Sequence, residues 1–188
     1  RMPPNGLTGA MEVTFRPLTE DDLPMLHGWL NEPGVVRWWE GDDVSWEGVV
    51  RDYGPGRDDD GTEHWVAVVD GRDVGWIQCS PVESSEEELA EWLPFGVERT
   101  AAGIDYLIGE PAMRGRGLGA AMIRSFVRDV VFARHQDRTQ ACASPVVENR
   151  ASWGALARAG FRQVGDFTDS LGQRCRLMVM DRAEAERV

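Results

Sequence analysis

The chain has 188 residues and carries 32 Asp and Glu against 20 Lys and Arg, a formal net charge of −12 at pH 7. This excess of acid argues against nucleic acid and anionic membrane as partners, which are held by clustered Lys and Arg, and favours a small cationic ligand. An apolar share of 42% with ten prolines suits one folded domain with a sizeable core rather than a disordered chain. No apolar run is long enough to span a bilayer, and the first residues lack the apolar stretch of a signal peptide. Cys79, Cys142 and Cys175 are scattered without ligand or disulfide spacing and are expected as small buried residues in a reducing cytoplasm. His27, His64 and His135 have no mutual spacing for a metal or a triad, so no metal is expected.

Residues 1–10 are expected to be disordered, with Arg1 ahead of Met2 left over from expression. Glu12–Arg16 alternates as a first strand. Thr19 is placed to cap a helix running to about Asn31, with Glu20, Asp21 and Asp22 in its first turn and Pro33-Gly34 as its stop. Trp38-Trp39-Glu40-Gly41-Asp42-Asp43 then sets costly aromatic surface beside acids in a loop. Ser45 opens a second helix to about Tyr53, and residues 54–61, with Asp58, Asp59 and Asp60, read as a solvated loop. His64–Val69, the Asp70-Gly71 turn and Asp73–Cys79 make a hairpin. Pro81–Ala101 reads as one long acidic connection, of the kind that is usually functional or mobile.

Ala102–Ile108 reads as a strand, and apolar residues recur at helical spacing from Ala120 to Phe132. Between them lies Met113-Arg114-Gly115-Arg116-Gly117-Leu118-Gly119. Glycines where a strand passes into the first turn of a helix leave unpaired N–H groups pointing outward at the positive end of the helix dipole, a site for phosphate. A Walker loop would need Lys-Ser/Thr where Ala120 stands, and G-x-G-x-x-G finds no register here. A strand over 139–143 follows. Asn149 caps a helix that ends at Gly160, and Phe161–Phe167 and Arg174–Met180 are two closing strands, followed by a charged tail over 183–188.

The Arg114–Gly119 pattern R-x-x-G-x-G, followed about thirty residues later by Asn149–Phe161, resembles the GNAT superfamily of acyl-CoA-dependent N-acyltransferases. The resemblance runs over roughly Val13 to Met180. It implies a single α/β domain, residues 11–182, with a mixed, mostly antiparallel central sheet splayed at the fourth strand and flanked by helices. Thr19–Leu23, Trp29-Leu30-Asn31, Val36–Trp39, Gly75–Gln78 and Gly103-Ile104-Asp105 are similar to aminoglycoside 6′-N-acetyltransferases, and in outline to hydroxylysine acyltransferases of siderophore synthesis.

The resemblance implies acetyl-CoA as the donor. Main-chain groups from Met113, Arg114, Gly115, Arg116, Gly117, Leu118, Gly119 and Ala120 would hold its diphosphate. Leu107 and Gly109 would pair with the pantetheine arm as an added strand, and the Asn149 side chain, also a helix cap, would touch the same arm. Asp105 is the candidate base for a primary amine acceptor. Trp38, Trp39 and Gln78 would line the acceptor cleft with Glu88, Glu91 and Trp92. The chain departs from the family at Leu156, where many members carry a tyrosine that protonates the leaving thiolate, and at Ser144-Pro145 in place of Asp-Pro. The expected acceptor is a small polycationic amine, an aminoglycoside above all, on a monomer or homodimer. A siderophore-precursor acyltransferase and an idle acyl-CoA-binding module are the alternatives.

Overall fold

A computed structural model describes residues 11–39, 41–57 and 59–187; the N-terminal segment 1–10, Glu40, Asp58 and Val188 lie outside the described residues. Seven segments rich in β-branched and aromatic residues pair into one sheet: β1 (Thr14–Pro17), β2 (Glu63–Val69), β3 (Arg72–Pro81), β4 (Ala102–Ile108), β5 (Gln140–Ala143), β6 (Arg162–Thr168) and β7 (Arg174–Asp181). Their order is β1-β2-β3-β4-β5-β7-β6. Every neighbouring pair is antiparallel except β4 and β5, which run parallel and touch at two positions only, Ala102 with Ala141 and Gly103 with Cys142. Beyond Gly103 the two strands part, so the sheet opens along the C-terminal half of β4.

The helices close over both faces. α1 (Leu23–Leu30), α2 (Pro33–Val36) and α3 (Trp46–Tyr53) bury Leu26, Leu30, Val35 and Val49 against Val66, Trp76 and Leu107. On the opposite face α5 (Leu118–Phe126) and α6 (Arg150–Ala159) pack Ile123, Phe126 and Leu156 onto Ile77 and Ile104. α5 widens into a π-helical continuation over Val127–Phe132, four of whose residues are buried. The expected strand and helix starts hold closely: Ser45 accepts from the Gly48 amide at the head of α3, and Asn149 from the Ser152 amide at the head of α6.

Three expectations change. Pro33 does not simply end α1. It stands at the first position of α2, where a residue without an N–H is tolerated. The long connection after Pro81 is structured: a turn over Val82–Ser84, α4 (Glu86–Trp92) capped by Ser85, and a turn over Leu93–Phe95. Its Leu89 and Trp92 are buried with Val82, Val97, Leu177 and Val179, so the apolar side of a Glu-rich stretch anchors it. The charged tail begins as α7 (Arg182–Ala185), and Arg182 donates to the carbonyls of Phe132, His135 and Arg138.

Candidate active site

The glycine-rich turn sits at the mouth of the split between β4 and β5. Gly115 (φ 72°) and Gly117 (φ 83°) adopt the left-handed conformation that costs any residue with a Cβ, and Gly117 is the N-cap of α5. The N–H groups of Met113 and Arg114 are spent inside the turn on the carbonyls of Glu110 and Pro111, and that of Ala121 bonds to Gly117. The amides of residues 115–120 have no backbone acceptor among the described residues. The available donors are therefore narrower than expected and begin one residue later than Arg114.

The Arg114 guanidinium braces the turn. It donates twice to the Ile108 carbonyl, at 3.1 and 2.9 Å, and pairs with Glu32 at 2.6 Å. The Glu32 carboxylate also takes the Gly34 amide, which ties the turn to α2. Arg116 is exposed and has no ionic partner among the described residues. Arg158, which sequence reasoning passed over, joins the Gly115–Gly119 turn in lining a cavity of about 450 Å³ between β4 and α6. A groove with free amides at a helix start, the exposed Arg158 in its lining and the exposed Arg116 on the adjoining turn suits the diphosphate of a coenzyme.

Leu107 and Gly109 require a correction. The Gly109 amide donates to Val74, and the Leu107 carbonyl lies against Gly75, so the main-chain groups of both face β3. Because backbone groups alternate along a strand, the edge that faces the opening belongs to Tyr106 and to the Ile108 amide, the Ile108 carbonyl being taken by Arg114. Gly109 is needed for room instead: a Cβ there would stand 2.1 Å from the Trp29 ring.

On the acceptor side, a row crosses the sheet in register: His64 on β2 opposite Gln78 on β3, and Gln78 opposite Asp105 on β4. Gln78 Nε2 donates to Asp105 Oδ2 at 2.8 Å. This row helps line a cavity of about 810 Å³ together with Asp42, Asp43, Asp52, Asp60 and Glu88. Arg51 pairs with both Asp43 and Asp52, and Arg57 pairs with Asp60. Asp42, Glu88 and Asp105 have no ionic partner among the described residues. Asp105 opens onto the cavity, yet its walls rather than bulk water set its charge. Burial pushes its carboxyl above the ordinary range, opposed by the Gln78 bond. Burial, then the charges of Asp105, Glu91 and Glu87, pushes Glu88 up to about 7. Asp42 is raised by burial, then by Asp105 and Asp52. Burial lowers His64 to about 4, so it is neutral and adds no positive charge.

Between the two cavities is a third, of about 300 Å³, lined by Asp105 and by Trp38, Trp39, Tyr106, Asn149 and Ser152. The last five also line the coenzyme groove. Both tryptophans are half-buried at this junction. Trp38 carries the Arg37 guanidinium over its ring, and Trp39 meets Trp76 edge-on. Two expected acceptor residues fall elsewhere. Trp92 is buried in the core beneath α4, and Glu91, two positions along α4 from buried Leu89, lies outside the linings of these cavities. Asp169 of the β6–β7 hairpin is spent on its own turn, accepting from the Leu171 and Gln173 amides. Sequence reading missed Asp42, Asp60, His64, Tyr106 and Ser152. Only the acid after the Trp pair gave a local hint. Spacing also hid one group that could hold a metal: Glu63, Cys79 and His135 bring ligand atoms within 4.8 Å of one another, although His135 already bonds Glu63 at 2.8 Å.

A sheet split at its fourth strand, with a glycine turn starting a helix in the split, is what an acyl-CoA-using domain requires, and residues 19–169 match the family acetyltransferase (GNAT) domain. The chain belongs to the GNAT acetyltransferases. It is 28% identical over 178 residues to aminoglycoside N(6′)-acetyltransferase type 1 of Klebsiella pneumoniae, and equally to that of Serratia marcescens, spanning 93% of this chain and 86% of either relative. Its fold superposes with a TM-score of 0.83 on AAC(6′)-Ib in complex with paromomycin and acetyl-CoA (28% identity, 94% of this chain and 97% of that one). With AAC(6′)-Ib bound to coenzyme A and kanamycin the TM-score is 0.81 (28% identity, 94% and 99%). An aminoglycoside N(6′)-acetyltransferase from Legionella pneumophila, at 20% identity and a TM-score of 0.73, shares the fold.

Proposed function

We propose that this chain transfers the acetyl group of acetyl-CoA to a primary amine of a small polycationic acceptor, an aminoglycoside at its 6′-amine. The observation that carries the reading is the acid-lined cavity, in which Asp42, Glu88 and Asp105 lack counter-ions among the described residues, joined through Trp38 and Trp39 to a groove that starts at free helix amides. The solved relatives that hold coenzyme A with kanamycin or paromomycin support it.

The amides of residues 115–120, with Arg116 and Arg158, would hold the diphosphate, and the open edge of β4 would guide the arm. The coenzyme supplies an activated acetyl thioester when bound. Everything else falls to the chain: it fixes the amine beside the thioester, the largest source of acceleration, and finds a place for the amine's proton. An alkylammonium has a pKa of about 10 and must lose a proton before it can attack. The negative cavity draws the ammonium in but also holds that proton on. The upward shift of Asp105 narrows the gap between base and amine, while Gln78 keeps the carboxylate aimed.

The test is thiol release from acetyl-CoA with kanamycin as acceptor. Asp105→Asn should lower kcat by about 10²–10⁴-fold, the usual range for a lost general base, with KM for acetyl-CoA unchanged. Equal turnover would remove Asp105 from the role. No acceptor-dependent release from a wild-type protein that binds coenzyme A would overturn the proposed activity.

A further inference from the structure

We infer that the Tyr106 hydroxyl, held by Ser152, is the hydrogen-bond donor that receives the departing thiolate of the coenzyme; this rests on the acetyl-transfer reading above. Among the described residues, Tyr106 and Ser152 carry the only hydroxyls that line both the junction cavity and the coenzyme groove. A thioester reaching from the glycine turn toward Asp105 must cross that shared wall. Tyr106 follows Asp105 directly on β4, so their side chains leave opposite faces of the strand. Asp105 turns to Gln78 and the acid cavity, while Tyr106 spans the gap that opens where β4 and β5 part. Its hydroxyl donates to the Ser152 carbonyl at 3.2 Å and lies 2.7 Å from Ser152 Oγ, so with coenzyme bound its one proton turns from that carbonyl to the sulfur while Ser152 Oγ holds the phenol oxygen. Leu156, one helical turn beyond Ser152, is fully buried and offers no donor.

The chemistry at that point needs a donor. The ammonium gives its first proton to Asp105, which passes it to solvent before attack; as the C–N bond forms and the C–S bond breaks, the electron pair of the latter stays on sulfur, and the second proton of the nitrogen goes to Asp105. The thiolate accepts a hydrogen bond from Tyr106 and takes up one proton from solvent as it leaves, matching the one that Asp105 then sheds. Burial holds the Tyr106 phenol above its ordinary value, whereas an alkyl thiol has a pKa of about 8.5. The phenol therefore keeps its proton at every working pH and acts by donating the bond rather than by transferring the proton. The Ser152 hydroxyl is a positioning group that orients the phenol oxygen.

Direct titration of the thiol of bound coenzyme A, by the ultraviolet absorbance of the thiolate, tests this without any acceptor. A donor aimed at the sulfur favours the charged form. The thiol pKa in the wild-type complex should be lower by roughly one unit, a tenfold change in thiolate fraction, than in Tyr106→Phe. Ser152→Ala, a smaller change that leaves the fold intact, should move it partway in the same direction. In turnover, Tyr106→Phe should lower kcat by about the same factor, with KM for acetyl-CoA held. Identical thiol titrations in the wild type and both variants would overturn the inference while leaving acetyl transfer standing. Failure of the wild type to bind coenzyme A would remove both.

Discussion

Three carboxylates in one cavity that have no counter-ion among the described residues store electrostatic work that a cationic ligand can release, and Glu88 shows the sign of it. Its folded pKa of about 7 lies above the ordinary carboxylate value because burial and then Asp105, Glu91 and Glu87 oppose its charge. Between about pH 4.5 and 7 the folded chain therefore keeps a proton that the unfolded chain has already lost. Stability should fall as pH rises through that window and then level off. Glu88→Gln carries no charge at any pH and should remove this part of the slope. At pH 8 its Tm should exceed that of wild type by several degrees, at about 2–4 °C per kcal/mol for a domain of this size. At pH 4 the two should nearly coincide. Thermal melts at both pH values check it, and a constant offset between the proteins would count against the assignment.

The strand–turn–helix unit works because Arg114 converts a loop into a braced element. One guanidinium joins the end of β4, the turn and α2. Arg114→Lys keeps the charge but cannot fork between a carbonyl and a carboxylate. It should lose about 1–2 kcal/mol in urea unfolding, as expected for charged bonds that are partly exposed. It should also weaken coenzyme A binding severalfold, although the side chain is already committed to Ile108 and Glu32. Calorimetric titration with coenzyme A separates the two: stability lost with affinity intact would mean that the brace does not shape the amide cradle. This same unit was the most legible part of the sequence, because glycine positions, the Asn149 cap and the passage from β4 through the turn into α5 are local signals. Ser45 and Asp70-Gly71 were legible for the same reason. What escaped was decided across the sheet. Which edge of β4 is open depends on the pairing of Gly109 with Val74, so Leu107 and Gly109 could not be told from Tyr106 and Ile108 by spacing. In α4, the glutamates hid a Leu89–Trp92 stripe whose partners, Leu177 and Val179, lie some ninety residues on. The row His64–Gln78–Asp105 exists only once three strands are in register.

Across the whole molecule, the net charge of −12 acts oppositely on the two ligands of the proposed reaction. It attracts a polycationic amine from a distance and repels a polyanionic coenzyme, which must then be held by short-range contacts at the helix start and by Arg116 and Arg158. Long-range attraction is screened with a Debye length of about 30 Å at 0.01 M salt and about 10 Å at 0.1 M, whereas bonds to desolvated amides are much less affected. Raising the ionic strength from about 0.01 to 0.1 M should therefore lower kcat/KM for kanamycin by roughly tenfold, within the range seen for steered association. Over the same range the association rate for coenzyme A should stay level or rise. A small monoamine acceptor should show a much shallower salt dependence than the polycation. Steady-state rates with both acceptors across a salt series, beside stopped-flow binding of coenzyme A, check the three slopes together. Equal slopes for the monoamine and the polycation would mean that the acid cavity does not steer the acceptor, and would point away from a multiply charged substrate.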